Sequence, residues 1–147
     1  MFNRPRAPAL PLLILLTTAC AAHRSEAPTT DNAAVTGRDG AIIISGVALD
    51  DGSGSVLDAI EGKVPNFRIQ RHSGECPQIT LRGAVTFQSV VNPHIYVDGT
   101  RTTDTCILET LRARNVELVE VYPMGVTKRP GYGMHAHGLI LVFMRTR

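Results

Sequence analysis

Six consecutive apolar residues, Leu139-Ile-Leu-Val-Phe-Met144, stand close to the end of a 147-residue chain. The run offers solvent no polar position, so as a strand it is covered on both faces and belongs at the centre of a sheet. Everything upstream has to supply that cover. Val116, Leu118, Val119 and Val121, interleaved with Glu117 and Glu120, read as a second strand with one buried face. Between the two lies Pro123-Met-Gly-Val-Thr-Lys-Arg-Pro-Gly-Tyr-Gly133. Its glycines are free to take positive φ and its prolines cannot donate to a ladder, so this is a loop at a sheet edge, placed to touch something.

Upstream, Ala41–Ser45 reads as the first strand of the domain. Val56, Leu57, Ile60 and Val64 fall on one helical face, with Ser53 or Ser55 as N-cap and Pro65 as terminator. Phe67–Arg71, Gln78–Arg82 and His94–Val97 follow as strands, the last closed by Asp98-Gly99. A second short helix holds Ile107, Leu108 and Leu111, capped by Thr103, Asp104 or Thr105. The expected order is β-α-β-β-β-α-β-β. That is an α+β domain with a mixed sheet of about four to six strands and two short helices packed on it. An apolar fraction of 44% is enough for a core of this size.

Met1–Arg6 carries two arginines and Ala7–Leu16 is an apolar run too short to span a bilayer, which is the layout of a secretory signal. The run ends in Leu16-Thr-Thr-Ala-Cys20, which resembles the lipobox of bacterial lipoproteins. That resemblance implies a signal peptide over residues 1–19 and a lipid-modified Cys20, with Ala21 directing the product to the outer membrane. The alternative is an ordinary signal peptide cut near Ala19 to Ala22. Residues 20–40 are small and polar around one histidine, His23, and read as anchor and flexible tether. The folded domain is then expected over residues 41–147. Without Arg4 and Arg6 the fifteen basic residues fall to match the thirteen acidic ones. A neutral chain with no Trp has neither the electrostatic footprint nor the stacking platforms of a nucleic-acid binder.

Several stretches, taken in order, resemble the plug domain of TonB-dependent outer-membrane receptors. They are Val56-Leu-Asp-Ala-Ile60 with Lys63-Val-Pro-Asn-Phe-Arg-Ile-Gln70, Ile79-Thr-Leu-Arg-Gly83, and Ile95-Tyr-Val-Asp-Gly99. Val116–Tyr122 with Gly125, Gly131-Tyr-Gly133 and Gly138-Leu-Ile-Leu-Val142 complete the series. The resemblance covers roughly Ser55 to Arg145 and implies an α/β plug, which in the receptors sits inside a β-barrel and gates uptake. Here the sequence stops at Arg147, where the barrel would begin, so a stand-alone plug is expected. Asn66 stands where the family usually has Gly, and Tyr122-Pro-Met-Gly125 replaces the usual Leu-Arg-Gly-Pro.

Chemistry-bearing residues are few. Cys76 and Cys106 are the pair left if Cys20 is acylated, and they read as a disulfide, two free thiols or a metal pair. His135 and His137 would share a face of a strand and seed a metal site, but no third ligand lies nearby in sequence. A polar turn entering the last strand is the plainer reading. Ser53 and Ser55 lack a hydrolase elbow, and Asp50 and Asp51 lack the remaining ligands of a calcium loop. No enzymatic activity and no cofactor are expected. The expected role is protein interaction at the periplasmic side of the outer membrane, with a small-ligand or metal carrier, or a receptor fragment without function, as alternatives. The partner would be an envelope protein, an outer-membrane barrel or a TonB-type component. Its contacts would fall on Phe87, Gly125, Gly131, Tyr132 and Gly133, because loops carry Phe and Tyr without the cover a strand needs.

Overall fold

The computed structural model describes residues 35–38, 40–50, 54–81 and 91–146. Leu139–Met144 is the last strand, β8 in a chain-order count, and it lies inside the sheet as its composition demands. One neighbour is β7, Val116–Tyr122, antiparallel to it; the other is β5, His94–Val97, parallel to it. Beyond β7 come β2, Ala41–Ser45, and then β1, Val35–Arg38, at one edge. Beyond β5 comes β6, Thr100–Thr102, at the other, which completes a mixed six-stranded sheet in the order β1-β2-β7-β8-β5-β6. A separate antiparallel pair is formed by β3, Arg68–Gln70, and β4, Gln78–Thr80.

The pleat sends alternate residues of β8 to two different cores. Ile140 and Val142 join Ile44, Val119, Val121 and Ile95 beneath three short helices: α1, Val47–Asp50; α2, Val56–Glu61; and α3, Ile107–Thr110. Leu49, Leu57, Ile60 and Leu108 from these helices are 0% exposed, as is Ile79 of β4. Leu139 and Leu141 face the other way, into a smaller cluster with Ala41, Tyr96 and Tyr122, against which Tyr132 and Phe143 pack. Helices cover the first face of the sheet, and the loop between β7 and β8 covers the second.

Local chemistry accounts for the element ends. Ser55 caps α2 in a reciprocal box: its Oγ accepts from Asp58 N, and Asp58 Oδ2 accepts from Ser55 N at 2.9 Å. Asn66 has φ of 61°, a left-handed conformation that Asn tolerates better than most non-glycine residues. Asp98 and Gly99 both have positive φ, 47° and 82°, and close a two-residue hairpin between β5 and β6.

Three expectations need correction. The sheet begins at Val35, inside the stretch read as tether, because an edge strand is held by backbone pairing to β2 and needs no apolar pattern to announce it. Among the described residues there are three short α-helices instead of two, since α1 is a single turn and leaves no periodicity to read. The helix caps proposed around Thr103 to Thr105 do not cap α3: Asp104 instead accepts from the Cys106 N–H at 2.8 Å in a tight turn ahead of it. Cys20, Ser53 and Phe87 lie outside the described residues. Among the described residues no helix is long and apolar enough to cross a membrane.

Candidate functional site

The loop from Pro123 to Gly138 is fastened to the sheet at three places. At its neck, Gly125 N donates to Tyr122 O, His135 N donates to Gly125 O at 3.0 Å, and Gly138 N donates to His135 O. A Cβ on Gly125 would lie 1.6 Å from His135 O, and Gly125 has φ of 67°, so only glycine permits this closure. The sequence reading placed Gly125 on a contact surface, whereas its position is buried and serves the neck.

The second fastening is ionic. Glu120 is 4% exposed and points into the loop-covered face, where Arg129 donates to both carboxylate oxygens at 2.6 Å. Tyr122 OH donates to the same carboxylate at 2.9 Å, and the guanidinium lies 4.8 Å over the Phe143 ring. The Glu120 carboxylate holds the Arg129 guanidinium above its ordinary range. Burial pushes the Tyr122 phenol up. The expectation of one buried face on this strand did not single out Glu120, and the bulge between Val116 and Leu118, which breaks strict alternation, leaves no simple period to read.

The third fastening is aromatic. Tyr132 meets Tyr96 of β5 edge-on at 5.0 Å, and His135 stacks on His94 of β5 with ring centroids 3.5 Å apart. His137 lies 5.4 Å from His135, tilted by 53°. Arg101 of β6 places Nη2 2.7 Å from His94 Nε2. Guanidinium nitrogens only donate, so His94 Nε2 is the acceptor and this ring is neutral. Burial, followed by the neighbouring cationic groups, lowers the pKa of His94; burial also lowers that of His135. His135 Nδ1 is fully buried and has no hydrogen-bond partner among the described residues. The expected pair His135 and His137 is thus joined by a third histidine from a distant strand. The rings stack instead of converging on one point, and Arg101 already occupies a nitrogen of His94.

Tyr132, expected as a free contact residue, is half-buried and packed on Tyr96; Gly131 and Gly133 are exposed beside it. The exposed apolar side chains of this loop are others: Met124, Val126 and Met134, at 58%, 54% and 75%. Away from the loop, Cys76 and Cys106 form a disulfide with Cα atoms 4.8 Å apart, tying the β3–β4 turn to the start of α3. A shallow hollow between β2 and the loop is lined by Ala41, Ile43, Glu120 and Arg129.

No protein-family model and no curated protein matches the sequence. Among solved structures the fold is similar to a chain of the RagAB peptide importer in its "closed-closed" state, at 19% identity and a TM-score of 0.55. That likeness covers 71% of this chain and 12% of the importer chain. A chain of the RagAB peptide transporter is similar at 20% identity and a TM-score of 0.54, over 76% of this chain and 13% of that one. This chain therefore spans a small part of the length of either. At these identities the likeness is one of fold.

Proposed function

We propose that the chain is a non-catalytic, plug-like interaction module, anchored through a lipid on Cys20 at the periplasmic side of the outer membrane. It docks on an envelope protein, a barrel or a TonB-type component, through the loop between β7 and β8. The observation that carries this reading is the pairing of three exposed apolar side chains, Met124, Val126 and Met134, with a loop fastened so firmly beneath them. Apolar groups on a preorganised loop lose little conformational entropy on docking, which is the arrangement a binding face requires. The fold likeness to chains of a peptide importer supports an address among envelope transport proteins.

The test is co-purification from envelope extracts using the full chain and the variant Val126→Ser/Met134→Ser. Both positions are exposed, so the variant should melt as the native protein does while recovering less of the partner. Undiminished recovery, or no partner with the native chain, rejects the loop as the docking face.

A further inference from the structure

Arg101, His94, His135 and His137 bring four nitrogen-bearing side chains together at the end of the loop-covered face, next to the hydroxyl-bearing rings of Tyr96 and Tyr132. Among the described residues, no Asp or Glu hydrogen-bonds or ion-pairs with any of the four. Arg129 is paired with Glu120, Arg71 with Glu109 and Arg145 with Asp50, whereas Arg101 is set against a ring nitrogen of His94. Arg101 and His137 are exposed, so solutes reach the cluster through them, and the buried His135 Nδ1 has no hydrogen-bond partner among the described residues.

We propose that Arg101 and the three histidines form a binding site for a small oxyanion. Arg101 supplies the permanent charge and the fork of donors that oxyanions prefer. The histidines supply charge on demand: when one protonates, it repels Arg101 and its stacked neighbour, and a bound anion removes that repulsion. Anion affinity therefore rises as pH falls below the ordinary histidine value, and a bound anion raises the histidine pKa values in return. The groups facing the cluster are Arg101 from β6, His94 and Tyr96 from β5, and Tyr132, His135 and His137 from the loop. None of this needs an envelope partner, so the site stands or falls separately from the docking face.

Sulfate is the suitable probe, because its charge is constant across the relevant pH range. Histidine ring signals would be followed by NMR from pH 7.5 to 5.5, with sulfate exchanged for chloride at constant ionic strength. Sulfate is expected to raise the apparent pKa of His94 and His135 and to bind several-fold more tightly at the lower pH, with the effect lost in Arg101→Gln. A parallel series with acetate separates the ligand classes: a stronger response to acetate indicates a carboxylate, a response to sulfate alone a tetrahedral anion, and an equal response a site for either oxyanion. His137→Gln, at an exposed position, should weaken binding without disturbing the stacked pair. Responses no larger than those to chloride, or unchanged in Arg101→Gln, overturn the proposal.

Discussion

Glu120 and Arg129 show how one buried charge organises a loop. A carboxylate at 4% exposure is tolerable only because a guanidinium and a phenol donate to it. Removing Arg129 alone takes two short hydrogen bonds from a carboxylate that stays buried. Since Arg129 is itself partly exposed, the loss sits below the full buried-pair range, at about 2 kcal/mol. Arg129→Gln is therefore expected to lower the denaturation midpoint, and Glu120→Gln/Arg129→Gln to recover part of the loss. If the double variant is no more stable than the single one, the buried charge is not the cause. The stacked histidines make a second residue-scale prediction. Their folded pKa values lie below the ordinary 6.5, so the folded state binds fewer protons than the unfolded state. Stability is then highest above about pH 6.5 and falls as acid is added through the lowered values. Asp58, lowered below 3.8 by its hydrogen bonds to Ser55, titrates outside that window. His94→Gln should flatten the decline between pH 7 and 5, as read by thermal melts. A slope as steep as the native one would assign the effect elsewhere.

At the scale of elements, the central strand, α2 with Ser55 as one of its two expected caps, and the strands at Ala41, Gln78, His94 and Val116 were all legible, because burial on one face or two leaves a period in the sequence. The edge strands β1 and β6 were not, since Thr100-Arg-Thr102 and Val35-Thr-Gly-Arg38 owe their conformation to backbone pairing with neighbours. For β6 the Asp98-Gly99 pair was the missed hairpin signal. The candidate site was legible only within the loop. His135 and His137 stood out by adjacency, but His94 and Arg101 reach them only through the parallel pairing of β5 with β8 and the hairpin that follows. The disulfide belongs to this scale too. It closes a separation of 30 residues between the β3–β4 turn and α3, so the chain-entropy model assigns it about 3 to 4 kcal/mol. Reduction should shift a denaturant melt by that amount, and coincident curves with and without reductant would show that the bridge contributes nothing.

For the whole molecule, a six-stranded sheet with helices on one face and a fastened loop on the other presents two unlike surfaces. The helix side consists of a core and its cover, and the loop side concentrates exposed methionine and valine above a rigid support. Docking through the loop side is the central claim, and site-directed photo-crosslinking in intact cells tests it directly. A photoreactive residue at Met134 should form an adduct with an outer-membrane protein, while the same residue at Glu117, exposed on β7, should not. Equal adducts from both positions, or none from Met134, would contradict the account.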